Sequence, residues 1–283
     1  MTRVLTGTVT LKAMVLEQFL DRRIVLRHFP FVFILGVVYV FVSYAVQQFV
    51  FPDQSLATTL LLTILLLPSL HHVIVIEEKI ESRGSSHFLR RHKTILKCYL
   101  GAFLGILVGF LILGFVNPGT LHYQVVQLEQ DHLHQDIVAS FSGQEYVPSV
   151  SKVVSLFSHN VWYLLIGFVL SIFYGAGAIF LIAYNASFFA AFIVEIFSRW
   201  SSAMTLACIS LVHMLPESAG YILTAMAGAS LSRALIHEKL SGDAFRNVLR
   251  NDVKLLVLAL LLVFVSAVLE VYVTAPVFHG LIS

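Results

Sequence analysis

Five apolar runs, each about 20 residues long, recur along this chain and restrict its possible folds. A run of that length spans a bilayer as a helix, because lipid offers no hydrogen-bond partner to backbone N–H and C=O groups. The composition agrees, since 58% of the residues are hydrophobic, 12% are charged and the mean hydropathy is +0.87. We therefore predict an all-α polytopic transmembrane bundle, a single membrane domain over residues 1–283. The runs are 31–50, 56–76, 95–116, 161–183 and 255–275.

The distribution of basic residues predicts how the chain is oriented in the membrane. Of the 18 Lys and Arg residues, five precede residue 28, six lie within 79–97 and five lie within 233–254. Cytoplasmic loops of membrane proteins carry the excess of Lys and Arg. The N-terminus is then inside and the C-terminus outside, which requires an odd number of crossings, and we predict about seven. Residues 1–27 become a cytoplasmic amphipathic segment or a simple basic flank, and 117–158 become an extracytoplasmic loop.

The least regular part of the chain lies between the fourth and the last apolar run, where the chain must cross the membrane twice or dip into it and return. Proline suits the first position of a helix, so we expect one helix to end near Met214 and another to start at Pro216. Glu217 then occupies a first turn, where the helix dipole favours a carboxylate. The pieces on either side of Trp200 are too short to cross alone at about 1.5 Å per residue. We predict a pair of short or broken helices around 186–216, as one span or as two half-helices.

Small residues recur at four-residue spacing on three of the predicted spans. Such stripes let helices approach closely in lipid, where packing drives helix association in place of hydrophobicity. We therefore expect one compact bundle rather than a wide pore. The helix-packing residues are Gly101, Gly105 and Gly109; Gly167, Ser171 and Gly175; and Gly220, Thr224 and Gly228.

The predicted topology also collects polar residues at the outer side of the bundle. His159 and Asn160 open the fourth span, His213 and Glu217 lie at an outer turn, and Glu270 lies near the outer end of the last span. Ionisable groups in membrane segments are costly and usually face a bundle interior or a cavity. The group is either a site for a cation, a proton or a polar ligand, or a hydrogen-bond network that ties three helices together.

Two further polar residues are secondary candidates. Asn185 lies at the predicted inner side, directly after the fourth apolar run. Glu195 precedes Arg199 by four residues with the acid first, which is the favoured orientation for an ion pair along a helix. We interpret this pair chiefly as mutual charge neutralisation.

No catalytic residue, metal or cofactor is predicted. The outer loop contains a group of possible ligands, but no second ligand cluster of recognised spacing accompanies it. A solvated linker is the better interpretation of this loop. The chain also lacks an H-E-x-x-H and a G-x-S-x-G sequence. The loop residues concerned are Asp131, His132, His134 and Asp136.

Several motifs in the chain occur together in one known family. Asn160, Asn185 and the sequence His213-x-x-x-Glu217, which leads into Ala-Gly-Ala at 227–229, carry the most specific part of the pattern. The start Met14-Val-Leu-Glu, the acidic pair 77–78 and Glu-x-Tyr at 270–272 extend it. The chain resembles the stage II sporulation protein M family, in particular its archaeal, non-sporulating relatives.

This resemblance implies a multi-pass helical protein of the cell membrane. In sporulating bacteria the namesake scaffolds cell-wall hydrolases during engulfment. An archaeon lacks that wall, so this partner role is not transferred directly. The chain departs from the family at Met214 and Ala186, where the family usually has glycine. The departures concern close backbone approach at those two positions and leave the expected fold unchanged.

Three functions remain open on the sequence. We predict first a non-catalytic scaffold of the plasma membrane, in contact with lipid and with membrane or extracytoplasmic proteins, as a monomer or homo-oligomer and without nucleic acid. The alternative is a small-ion or proton transporter or channel that uses the outer His/Glu cluster, because interrupted helices often mark transport sites. The third is an intramembrane metal-dependent enzyme with His213 and Glu217 as two ligands.

Overall fold

The computed structural model describes residues 29–52, 54–82, 88–130, 146–174 and 176–282. Every regular element in these ranges is helical, which confirms the predicted all-α class. A 3₁₀ turn, Pro118–Leu121, and a π-helical turn, Glu270–Thr274, connect helices. The helices are α1 (Phe29–Val50), α2 (Ser55–Ser82), α3 (Phe88–Val116), α4 (His122–Gln130), α5 (Val150–Tyr174), α6 (Gly177–Arg199), α7 (Ala203–His237), α8 (Asp243–Leu269) and α9 (Ala275–Ile282).

The predicted number of membrane crossings agrees with the structure in outline. By length and composition, six spans are long and apolar enough to cross: α1, α3, α5, α6, α7, and α8 continued into α9. The helix α2 adds a shorter apolar segment, Ser55–Pro68. Predictions made for residues 1–27, for the possible loop ligands at 131–136 and for Gly175 lie outside the described residues.

The predicted fourth span, 161–183, is divided between two helices. The helix α5 ends at Tyr174 and α6 begins at Gly177. The chain turns so tightly that a Cβ atom on Gly177 would overlap the backbone of Leu170 and Ser171. Glycine allows this close approach because it has no Cβ. Hydropathy misses this boundary, because Ala176 and Gly177 also continue the apolar run.

The predicted helix break at Pro216 is wrong. The helix α7 continues from Ala203 to His237 with Pro216 inside it, so Glu217 lies in mid-helix and not in a first turn. Proline removes a backbone N–H, but neighbouring side chains re-satisfy the backbone of such helices in membranes. In the same turn, the Ser266 hydroxyl donates to the backbone carbonyl of His213 at 2.9 Å. A hydrogen bond from α8 therefore reaches the turn of α7 that contains Pro216.

The predicted pair of short helices around 186–216 is also wrong, because both helices in this region are long and unbroken. The helix α6 runs unbroken for 23 residues, about 35 Å at 1.5 Å per residue, which suffices to cross a bilayer. The chain is interrupted at Trp200, as the sequence predicts, and the backbone of Trp200 is extended with φ −128° and ψ 139°. Both α6 and α7 are therefore full-length spans with a short connection between them.

The helix α7 lies at the centre of the bundle. Every residue from 220 to 232 is buried, and α2, α5, α6 and α8 all pack against α7. A helix that is apolar and buried around its whole circumference belongs to a bundle interior. Small side chains such as Ala225, Ala227 and Ala229, all with 0% exposure, allow four neighbours to surround it. The core of this protein is therefore packed around one helix.

The first part of the predicted outer loop packs into the bundle. Leu121 and Gln124 have no exposed surface. The amide Nε2 of Gln124 donates to Ser187 Oγ at 3.0 Å, which ties α4 to α6. The helix α5 then begins at Val150, inside the range 117–158 that was predicted as loop. Hydrophobic burial and a buried hydrogen bond hold this connection against the helices.

Candidate functional site

Three of the predicted polar residues, His213, Glu217 and Glu270, come together in the structure. Each offers a nitrogen or carboxylate oxygen, and these three atoms lie within 4.8 Å of one another. Within the described ranges, this is the one group of three or more His, Cys, Asp or Glu side chains with such spacing. His213 and Glu270 are buried and Glu217 is partly buried.

The helix α7 presents two of these side chains on one face. His213 and Glu217 are four residues apart, so they lie one above the other along the helix surface. The close contact between α7 and α8 lies just beyond them, at Gly220. A Cβ atom there would lie 2.7 Å from Val263 Cγ2 and 3.1 Å from the carbonyl oxygen of Ala259. Glycine at this position therefore allows α8 to approach the His/Glu face.

The π-helical turn Glu270–Thr274 supplies the second carboxylate, that of Glu270. Glu270 is 4% exposed and Thr274 is 3% exposed. Thr274 Oγ1 lies 3.0 Å from His213 Nδ1, within hydrogen-bond distance. The Tyr146 hydroxyl donates to the carbonyl of Val271 at 3.2 Å. The π turn therefore accepts a hydrogen bond from the segment that leads into α5, which we call the outer connection. Single π turns inside α-helices occur frequently at functional sites.

The arrangement suits the capture of positive charge. Two carboxylates and an imidazole converge within membrane-spanning helices, where an ionised group is costly unless it is paired, hydrogen-bonded or bound to a metal. The donor set, one nitrogen and two carboxylate groups, can hold a proton or a metal cation. We refer to His213, Glu217, Glu270 and Thr274 as the outer cluster.

The other two residues of the predicted outer site are not part of this group of three. His159 lies edge-on to the ring of Tyr163, with the ring centroids 4.8 Å apart. Asn160 is buried at 6% exposure. Their helix does reach the neighbourhood, because Phe157 packs edge-to-face on Phe264 of α8 at 5.5 Å between centroids.

The secondary candidates have local partners in α6. The side-chain amide of Asn185 donates to the carbonyl of Leu181 at 2.7 Å, within its own helix. Glu195 forms an ion pair with Arg199, as the spacing predicts. The side chain of Arg199 is 40% exposed, so solvent screening limits what this pair contributes to stability.

The small residues of α3 lie against α1. A Cβ atom on Gly105 would overlap the carbonyl oxygen of Phe33. One on Gly109 would lie 2.9 Å from Val40 Cβ, and one on Gly101 would lie 3.3 Å from the side chain of Phe29. Gly36 of α1 faces α3 in return, and a Cβ atom there would lie 3.1 Å from the carbonyl oxygen of Ala102. The two helices are therefore in backbone contact.

A second set of small residues joins α5, α6 and α7. A Cβ atom on Gly228 of α7 would overlap Ser171 Cβ of α5, and one on Gly167 of α5 would lie 2.5 Å from Leu181 Cδ1 of α6. The hydroxyls of Ser171 and Thr224 donate to carbonyls one turn back in their own helices, at 2.7 and 3.0 Å. These hydroxyls are satisfied locally, so the residues can serve as small packing surfaces.

Sequence reasoning missed Thr274 and Ser266, which both contact His213 from the last span. Single Ser and Thr residues are common in membrane helices, and their hydroxyls usually donate to a carbonyl of their own helix. Their presence in the sequence therefore does not indicate a contact with another helix. The spacing of Glu270 and Thr274, four residues apart, was the available indication that both could face one neighbour.

Comparison with known proteins decides the family. A family model described as stage II sporulation protein M matches residues 31–275, most of the chain. The chain belongs to this family. The stage II sporulation protein M match begins within α1 and ends just past the π turn, so it includes the whole outer cluster. Together with the six apolar spans, it identifies an integral membrane protein. No curated protein and no solved structure matches the chain.

Proposed function

We propose that this member of the stage II sporulation protein M family is a non-catalytic scaffold of the plasma membrane that organises partner proteins. The observation that carries this proposal is the burial of α7 over residues 220–232. A transport pathway requires a polar, hydrated route beside the central helices, whereas a helix enclosed by four neighbours forms a solid centre. A solid centre suits a rigid platform.

The helix contacts support the same function. Gly105 and Gly228 both bring neighbouring helices so close that an added Cβ would overlap the adjoining helix. Contacts of this type fix the helices relative to one another, because packed interfaces resist gradual deformation. An alternating-access transporter instead needs one set of helices to move against another. The packing therefore favours a fixed assembly surface.

The outer connection offers a surface for partners. Tyr146 and Lys152 attach this connection to the bundle, with Lys152 Nζ 4.1 Å from the centroid of the Tyr146 ring and the Tyr146 hydroxyl bonded to Val271. Val147 and Val150, beside them, are exposed. An anchored segment with exposed apolar side chains can present a defined surface to a membrane or extracytoplasmic protein.

The proposal is tested by photo-crosslinking in the cells that naturally contain the protein. A photoreactive amino acid is placed at Val147, which is 64% exposed, and at Ile64 of α2, which is 65% exposed and lies in an apolar span. We expect discrete protein adducts at Val147 and lipid adducts or none at Ile64. Identical patterns at the two positions would count against a partner surface on the outer connection.

A flux assay distinguishes the scaffold from a transporter. Purified full-length protein is reconstituted into vesicles, and proton, Na⁺ and K⁺ fluxes are compared with those of protein-free vesicles. A scaffold leaves the fluxes unchanged. Saturable flux that disappears in Glu217→Gln, with the variant still folded, would replace the scaffold with an ion-transport function that uses the outer cluster.

A further inference from the structure

We propose that the outer cluster binds a divalent transition-metal ion of the Zn²⁺ class through His213, Glu217 and Glu270. These are the three side chains whose donor atoms lie within 4.8 Å of one another. The inference goes beyond the scaffold function and does not depend on it, because a metal can either stabilise a platform or serve another role.

The donor set favours a transition metal over Ca²⁺ or Mg²⁺. Calcium and magnesium prefer oxygen ligands, and Ca²⁺ takes six to eight of them. Imidazole suits Zn²⁺ and its neighbours in the first transition series, and mixed His and carboxylate sets occur in zinc sites. Three protein ligands leave a fourth position of a tetrahedral ion to water or another ligand.

The distances are compatible with coordination after a modest side-chain movement. Bonds of about 2.1 Å to a tetrahedral ion separate neighbouring ligand atoms by about 3.4 Å. The widest pair, at up to 4.8 Å, would close by about 1.4 Å. The two glutamates each rotate about three side-chain bonds, and Glu217 is only partly buried, so side-chain rotation can supply this contraction.

Hydrogen bonds from residues outside the proposed ligand set hold the histidine in place, as the hydrogen-bond partners of ligating histidines do in metal sites. Thr274 Oγ1 engages Nδ1 at 3.0 Å and fixes the orientation of the ring. The Ser266 hydroxyl holds the backbone carbonyl of the same residue at 2.9 Å. Both contacts come from the segment that also carries Glu270, so the two sides of the site are tied together independently of the carboxylates.

A proline within a helix and a π turn meet at this site. Pro216 lies in α7 between His213 and Glu217, and the π turn begins at Glu270. A π turn costs regular hydrogen bonding and is found mostly at functional positions. A proline in α7 and a π turn on the facing segment, both at the same three side chains, are the arrangement expected of a built ligand site.

A bound dication would also neutralise the negative charge of the two ionised glutamates in the cluster. Two glutamates within membrane spans are costly to ionise, and a metal compensates them where the medium is poor at doing so. Because the ligands come from α7 and from the π turn, binding clamps two elements that are far apart in the chain. A ligand that binds the folded state and not the unfolded state raises the unfolding temperature.

The test uses purified full-length protein in nanodiscs, stripped with a chelator and then equilibrated with Zn²⁺, Mn²⁺ or Ca²⁺. We expect about one Zn²⁺ per chain by mass spectrometric metal analysis and a higher Tm with Zn²⁺. We expect both effects to be lost in Glu270→Gln and in His213→Gln. The matched controls are Glu195→Gln and His159→Gln, which remove an acid and a histidine from outside the cluster and should retain both effects.

Several outcomes would overturn the proposal. These are failure of wild-type protein to retain Zn²⁺, equal retention by wild type and the cluster variants, and a preference for Ca²⁺. If the variants do not fold, X-ray absorption of Zn²⁺-loaded wild type decides. One imidazole with oxygen ligands supports the site, whereas a sulfur ligand or an all-oxygen shell contradicts it.

Discussion

The imidazole of His213 and the hydroxyl of Thr274 lie 3.0 Å apart, although 61 residues separate them in the chain. This contact joins the central helix α7 to the π turn that follows α8. Glu270 is the first and Thr274 the last residue of the same five-residue turn. The contact therefore also brings Glu270 to the face of α7 that carries His213 and Glu217. A single polar contact between two spans thus organises the outer cluster.

Removal of this contact should lower stability measurably. Thr274→Val keeps the side-chain shape and deletes the hydroxyl, so we expect the free energy of unfolding in metal-free buffer to fall by about 0.5–1.5 kcal/mol. The measurement is reversible denaturation in bicelles. Thr224→Val is the control, since the Thr224 hydroxyl bonds only one turn back, to Gly220. Equal losses in the two variants would show that the contact to His213 contributes nothing specific.

The backbone contact between α1 and α3 should not tolerate even one added carbon. In Gly105→Ala the new methyl would overlap the Phe33 carbonyl, and backbone cannot move aside as a flexible side chain can. We expect a destabilisation of about 1–3 kcal/mol by thermal or denaturant unfolding. Gly280→Ala is the matched control, because nothing lies within 4 Å of its Cβ position. A stable Gly105→Ala variant would mean that α1 and α3 are farther apart.

The hydrogen bond from Gln124 should hold α4 against the bundle. Gln124→Ala removes the donor to Ser187, a loss of about 1 kcal/mol, which corresponds to about fivefold more frequent local opening. The measurement is the rate at which a reporter, Leu121→Cys, reacts with a membrane-impermeant maleimide. Both native cysteines are replaced by alanine beforehand. Gln48→Ala, at an exposed position, should leave the rate unchanged, and equal rates in both variants would refute the role of Gln124.

The orientation of the spans can be tested at two exposed serines on successive connections. Ser201 lies between α6 and α7, and Ser241 lies between α7 and α8. The positive-inside rule places the second connection, with its basic neighbours, in the cytoplasm. In a background without native cysteines, Ser201→Cys should react with an impermeant maleimide in intact cells. Ser241→Cys should react only after permeabilisation, and the reverse pattern would invert the topology.

Much of the fold could be predicted because the bilayer imposes local rules. Any chain segment in lipid must satisfy its own backbone, so apolar runs of sufficient length identify helices without knowledge of their neighbours. The same local character explains the ion pair of Glu195 with Arg199, whose partners lie on one helix face. It also explains why His213 and Glu217, four residues apart, could be assigned to one site.

Helix boundaries within long apolar sequence were harder, because hydropathy does not distinguish a turn from a span. The boundary between α5, which ends at Tyr174, and α6, which begins at Gly177, divides what hydropathy presents as one run. Pro216 has the opposite effect. It resembles a helix start in sequence, but α7 continues through it, and Ser266 of the neighbouring helix donates to the carbonyl of His213 in the same turn.

The sequence by itself determined that this protein is an all-helical membrane protein of the stage II sporulation protein M family, with about seven spans. Those properties depend on residue types and on short spacings. The tertiary structure alone decided that Glu270 and Thr274 meet His213, while His159 lies against Tyr163 instead. The reason is physical: the approach of α8 at Gly220 and the widened π turn set those distances. Both arise from packing between segments remote in sequence, where no spacing rule applies.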